Sequence, residues 1–350
     1  KQGRADARAR QFNQRIDPAL PPAPGESIMN LGYPEPLYLL PFDHRGSYVS
    51  GMFHFKPPLT ADEHDRVARS KRLIYDGFRQ ALTGAVPVAC AGILVDEEFG
   101  ADILRDAASS GYVTAVSVEK SGSDEFEFEY GDAYAAHLEA FKPTFAKVLV
   151  RYNPQGDMAL NQRQTARLKQ LSDHCRATEQ RFMFELLVPA TKAQMEHVGA
   201  DKNAYDDQLR PDLMRQAIRA LQDAGIEPDV WKIEGLERRE DCEQLVDIAR
   251  RDGRGDVGCI VLGRGADEKK VVDWLEAAAP VPGFIGFAVG RTTFWDAVAG
   301  FEAKEMTRQE AVSHIAERYR KWVKIFEKAR VPHASSSHHA TESVATRTKP

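Results

Sequence analysis

The sequence is poor in cysteine. Four occur in 350 residues, Cys90, Cys175, Cys242 and Cys259, far apart and with no C-x-x-C pair. That argues against a zinc ribbon or a dithiol redox motif and fits reduced, mostly buried thiols in a cytosolic protein. No apolar run approaches the ~20 residues needed to span a bilayer. The charged N-terminus has no apolar segment of the signal-peptide kind. It lacks an initiator Met as well, so the chain is expected to be a processed or excised piece of a longer one. Strong charge of one sign is also missing: 47 Lys and Arg against 52 Asp and Glu give a net charge of -5. With the signs mixed along the chain, there is no concentrated basic surface to attract nucleic acid. Ten histidines contain neither His-x-His nor His-Glu-x-x-His, and only His44 stands at the end of a candidate strand. No metal and no cofactor is therefore expected. No G-x-G-x-x-G follows an early apolar run, which argues against a dinucleotide-binding sheet.

What is present is an ordinary globular mixture, 43% hydrophobic and 28% charged. Eight short apolar runs alternate with longer amphipathic segments: Leu37–Phe42, Val88–Val95, Val113–Val118, Phe145–Val150, Phe182–Val188, Val230–Ile233, Val257–Leu262 and Phe284–Val289. Near-continuous hydrophobicity is what strands covered on both faces require, so the sheet should be parallel. Between the runs, Ile218, Leu221 and Ala224 share a helical face before Gly225, as Leu245, Ile248 and Ala249 do before Gly253. Ala311, Ile315, Tyr319, Trp322, Val323 and Phe326 recur at helical spacing and predict a long closing helix. That helix could cover its own barrel or pack between subunits, which leaves a homo-oligomer open. Eight strands, each followed by a helix, predict a (β/α)8 TIM barrel over residues 37–330. The polar, Pro-containing residues 1–36 read as an arm or linker, and residues 331–350 as a disordered tail. His333, His338 and His339 in that tail could bind metal only adventitiously.

Active sites of such barrels lie at the C-terminal ends of the strands. The runs exit into Asp43, His44 and Arg45, then Asp96 and Glu97, then Glu119 and Lys120. Lys147 lies within the fourth run and Arg151 follows it; Glu185 lies in the fifth, and Lys232 and Glu234 mark the sixth. Lys232 interrupts an apolar run. Burial lowers the pKa of a lysine and frees its amine to attack a carbonyl, yet the residue could equally be paired with a carboxylate such as Glu185. Lys147 carries the same two readings. Gly263-Arg264-Gly265 and Gly290-Arg291-Thr292 follow the seventh and eighth runs, where many barrels hold a phosphate on glycine backbone and a cation; tight turns would use the same glycines. Asp96, Glu97 and Glu119 could hold Mg²⁺, although carboxylates at barrel rims more often form ion pairs. Glu125, Glu127 and Glu129 alternate as in a solvated loop or hairpin.

Several of these segments resemble one group of enzymes. Leu39-Leu40-Pro41-Phe42-Asp43-His44-Arg45-Gly46-Ser47 resembles the Asp-x-Arg-Gly signature of the tagatose-bisphosphate and sulfofructose-phosphate class I aldolases. Ile93–Gly100 and Val118–Gly122 resemble their second- and third-strand segments, and Asp229–Glu234 the segment carrying their Schiff-base lysine. Over about Leu37 to Lys328 the chain resembles the bacterial DUF2090 family, which occurs alone or fused behind a sugar kinase of inositol catabolism. The resemblance implies 2-deoxy-5-keto-gluconate-6-phosphate aldolase activity. It makes Lys232 the imine lysine and Lys147 a second active-site lysine, with Glu185 and Asp43 as the acids. Arg45, Gly263, Arg264, Gly290 and Arg291 would bind substrate and its phosphate. Two departures bear on the substrate: His44 replaces a Gln, and Asn153-Pro154 replaces a different turn. The expected partner is a phosphorylated small molecule, with a sugar kinase as a fusion or associated protein. A hexose-bisphosphate aldolase, a phosphosugar isomerase using Glu185 as base, and a non-catalytic phosphosugar-binding barrel are the competing readings.

Overall fold

In the computed structural model, residues 30–84 and 86–331 are described. Most of the expected arm and nearly all of the expected tail lie outside them. Eight strands form a closed parallel barrel in chain order: β1 Leu37–Pro41, β2 Ala91–Val95, β3 Val113–Ser117, β4 Phe145–Arg151, β5 Arg181–Leu187, β6 Val230–Glu234, β7 Gly258–Leu262 and β8 Phe284–Ala288. Among the described residues twelve α-helices surround it: α1 Gly46–Phe53, α2 Ala61–Ala81, α3 Glu97–Ser109, α4 Tyr134–Phe141, α5 Met158–Ala177, α6 Lys192–His197, α7 Lys202–Gln208, α8 Arg210–Asp223, α9 Arg239–Ala249, α10 Glu268–Ala278, α11 Arg291–Glu302 and α12 Arg308–Arg330. The expected (β/α)8 barrel is present. No helix of the described residues is long and apolar enough to cross a membrane.

Local chemistry sets the boundaries. Thr60, Asp96, Asp157, Thr191, Asp267 and Thr307 cap their helices by accepting a backbone N–H with the side chain. One run was read too long: Val88–Cys90 form a 3-10 turn after Pro87, with Val88 exposed, and β2 begins only at Ala91. The closing helix α12 buries Trp322 and Phe326 completely within its own chain, and Trp322 Nε1 donates to Thr293 Oγ1 at 2.9 Å. Those two rings are therefore not a subunit contact.

Inside the barrel, side chains alternate inward and outward along each strand. The lower interior is apolar, built from Leu37, Leu39, Leu94, Ala115, Phe145, Met183, Val230 and Ile260. Gly32 and Tyr33, inside the stretch expected to be an arm, pack there too. Tyr33 meets Phe145 edge-on, and the Gly32 N–H donates to Asp229 Oδ1 at 2.9 Å. Two residues further along β3, β4, β5 and β6 the inward set becomes polar, with Ser117, Lys147, Glu185 and Lys232.

Candidate active site

That polar layer consists of Ser117, Glu119, Lys147, Glu185, Lys232 and Asp43. Register makes it: Ser117 lies beside Lys147 across β3 and β4, and Glu185 beside Lys232 across β5 and β6. Lys147 is fully buried, and its ammonium meets three carboxylates: Asp43 Oδ2 at 2.7 Å, Glu119 Oε1 at 2.7 Å and Glu185 Oε2 at 2.8 Å. Lys232 has one such partner, the same Glu185 Oε2 at 2.7 Å. Ser117 Oγ donates to Asp43 Oδ2 at 2.9 Å.

The electrostatics of the layer follow from burial set against these pairs. Burial alone would push Asp43 up, but Lys147 and then Lys232 outweigh it and hold the carboxyl well below its ordinary value. Glu185 is lowered in the same way, against its own burial, by the same two lysines. Glu119 differs: burial wins over Lys147 and Arg45, and its pKa is raised. Lys147 is held well above its ordinary value, because Asp43, Glu119 and Glu185 together overcome its desolvation. Lys147 is thus fixed as an ammonium ion, an unsuitable state for a nucleophile.

A cleft of about 350 Å³ opens above the layer at the C-terminal mouth, walled by Lys232, Glu185, Asp43, His44, Arg291 and Arg151 among others. Lys147 is not on its wall. Of the expected phosphate-binding residues, Arg291 best fits a free anion. Its Nη2 donates to Ser47 Oγ at 2.8 Å, its guanidinium lies over Trp295, and no carboxylate of the described residues pairs with it. Burial lowers its pKa from the ordinary arginine value, with Asp43 opposing. Gly290 precedes it at the N-terminus of α11, Arg45 stands at the N-terminus of α1, and Arg45, Ser47, Gly290 and Arg291 all line the cleft.

The other expected anchors are occupied or displaced. Arg264 lines the cleft but pairs with Asp206 at 2.8 Å and Glu234 at 3.0 Å. Arg45 donates to Glu129 Oε2 at 2.6 Å and to the Glu119 carbonyl at 2.5 Å. Gly263 is not on the wall, and its N–H is used by the Ala288 carbonyl at 3.2 Å; Gly265 lines the cleft instead. Asp96 pairs with Lys71 and Glu119 with Lys147, and Glu97 is hydrogen-bonded to His137 Nδ1 at 2.8 Å, so these rim carboxylates are already engaged. The acidic Glu125–Glu129 stretch does return as a hairpin, bridged from Phe128 to Glu119. It is only partly solvated, because Glu129 holds Arg45 and Glu125 holds Arg163 and Arg167. Sequence reading missed Ser117 and the third carboxylate on Lys147. Alternation supplies the missing signal, since Ser117 and Glu119 continue the inward face of Val113 and Ala115.

The fold and the cleft together define a (β/α)8 barrel with a lysine–carboxylate array at its C-terminal mouth. A family model described as an uncharacterized protein conserved in bacteria, DUF2090, matches residues 30–330, and the chain belongs to that family. No curated protein matches it. Among solved structures, the fructose-bisphosphate aldolase of Plasmodium falciparum, in complex with TRAP and a small-molecule inhibitor, is similar over 82% of this chain and 89% of its own, at 14% identity and a TM-score of 0.56. A Schiff base forming fructose-1,6-bisphosphate aldolase is similar over 83% of this chain and 94% of its own, at 13% identity and a TM-score of 0.51. At such identities the likeness is one of fold.

Proposed function

We propose that the chain is a class I aldolase that cleaves a phosphorylated keto-sugar acid. The substrate favoured by the resemblance is 2-deoxy-5-keto-gluconate 6-phosphate, which would give dihydroxyacetone phosphate and malonic semialdehyde. The carrying observation is the asymmetry of the two lysines: Lys147 is sealed under three carboxylates, whereas Lys232 reaches the cleft with one partner. Glu185, 2.7 Å away, is placed to take the Lys232 proton. The amine then adds to the substrate ketone, and Glu185 returns its proton to the carbinolamine hydroxyl so that water leaves, giving an iminium that draws electrons. Asp43 or Glu185 accepts the proton of the hydroxyl two carbons away as the C–C bond breaks. The electron pair of the broken bond becomes the double bond between the adjacent carbon and the former ketone carbon, the iminium electrons move onto nitrogen to give an enamine, and the aldehyde departs. Protonation of the adjacent carbon by the acid that took the hydroxyl proton restores the iminium, whose hydrolysis releases the phosphorylated ketone and the lysine. Lys147 keeps the acids ionised and oriented, while Arg291 and the helix N-termini take the phosphate.

The test is borohydride reduction with dihydroxyacetone phosphate, followed by peptide mapping. A stable adduct on Lys232 is expected. An adduct on Lys147 would exchange the lysine roles, and no adduct on folded, ligand-bound protein would leave the isomerase or the non-catalytic phosphosugar-binding barrel. The two solved structures similar in fold are named for fructose bisphosphate, so a hexose bisphosphate is the second substrate reading. Profiling both substrates separates them.

A further inference from the structure

One group on the cleft wall has no part in the steps above. His44 follows Asp43 at the exit of β1, and its ring packs edge-on toward Phe294 of α11, with centroids 6.4 Å apart. Its Nδ1 is buried without a hydrogen-bond partner, and no described residue bonds to Nε2. A polar ring left unpartnered is costly in a packed site unless something else satisfies it. Its place is also defended. The His44 carbonyl accepts Lys71 Nζ at 3.0 Å, and Lys71, fully buried on α2, pairs with the fully buried Asp96, which caps α3 through the Phe99 N–H at 2.9 Å. A buried ion pair is thus spent on holding the backbone of this one residue.

The cleft locates the ring, because His44 lines it together with Lys232 and Arg291. Burial pushes His44 down to about 4, with Asp43 raising it and Arg291 and Lys232 lowering it further, so the imidazole is neutral at physiological pH. A neutral ring donates at one nitrogen and accepts at the other. It shares the cleft wall with both Lys232, the proposed imine site, and Arg291, the proposed phosphate site, where the ketone half of a bound substrate would lie.

We propose that His44 is a specificity-determining residue that hydrogen-bonds an oxygen of the phosphate-bearing ketone half of the substrate. The assignment rests on the aldolase reading. Its test uses the full chain labelled with ¹⁵N-histidine, with His44→Ala to assign the resonance. The His44 nitrogens should move when dihydroxyacetone phosphate is added. The concentration of that ketone giving half-maximal borohydride trapping of Lys232 should rise about tenfold in His44→Ala. His44→Gln, which keeps one donor and one acceptor, should recover most of the loss. Unchanged trapping in a folded His44→Ala overturns the proposal while leaving the aldolase reading intact. Should wild-type Lys232 not trap at all, the aldolase reading fails by itself, and the resonance still decides: movement with dihydroxyacetone phosphate keeps His44 as a ligand contact, and no movement overturns it.

Discussion

At the scale of single residues, the carboxylates around Lys147 should respond to mutation with opposite signs. Asp43 is held below its ordinary value, so it contributes stability that is present above the unfolded pKa near ~3.9 and lost as pH falls through the lower folded value. Glu119 is raised, so its ionisation opposes folding, beginning near its ordinary ~4.3 and complete above the folded value. At pH 7, Asp43→Asn should therefore lower Tm and Glu119→Gln should raise it, and the Asp43→Asn deficit should shrink as pH is brought below 4. Thermal melts across pH 3–8 check this, and shifts of the same sign would refute it. Lys147→Met is harsher, because it strands three buried carboxylates; breaking such a pair costs about 3–5 kcal/mol. Denaturant titration measures that loss. Lys232→Met leaves only Glu185 without one of its two cations and should fold, yet turnover should fall by three orders of magnitude or more, roughly 4 kcal/mol in the barrier.

At the scale of elements, close approach between neighbours decides where the cleft groups sit. A Cβ on Gly290 would lie 2.2 Å from the Pro41 carbonyl oxygen, so the β8–α11 turn lies directly against the end of β1. Gly290→Ala should push α11 and Arg291 outward. Affinity for a phosphorylated ligand should drop about tenfold, the Coulombic share of one misplaced guanidinium, while borohydride trapping at saturating ligand persists. Calorimetric binding and trapping together separate those effects. Elements were also what the sequence disclosed best. Seven of the eight apolar runs start within a residue or so of their strands, because burial on both faces writes hydrophobicity at every position. Val88–Cys90 misled for a physical reason: three apolar or small residues after Pro87 look like strand, but they turn before the pairing of β2 begins at Ala91.

At the scale of the whole molecule, what stayed hidden was partnership. Strand ends named Asp43, Lys147, Glu185 and Lys232 as neighbours of one mouth, since barrel topology alone gathers them. No local pattern could disclose that Arg264 is claimed by Asp206, 58 positions away, or Arg45 by Glu129, 84 positions away. That difference between legible position and illegible pairing divides the arginines into structural and free, and it can be read from stability. A ligand that binds only the folded state adds RT ln(1 + [L]/Kd), about 2.7 kcal/mol at a hundredfold excess over Kd. Arg264 holds two carboxylates, so Arg264→Met should lower the ligand-free Tm by uncovering the nearly buried Glu234, while the rise with dihydroxyacetone phosphate stays close to wild type. Among the described residues Arg291 meets the Ser47 hydroxyl and the Trp295 ring but pairs with no carboxylate, so Arg291→Met should leave the ligand-free Tm nearly unchanged and abolish most of the ligand-induced rise. The reverse pattern in paired melts would mean that phosphate displaces Asp206 and Glu234 from Arg264, and the anion site would move from the β8 side of the mouth to β7.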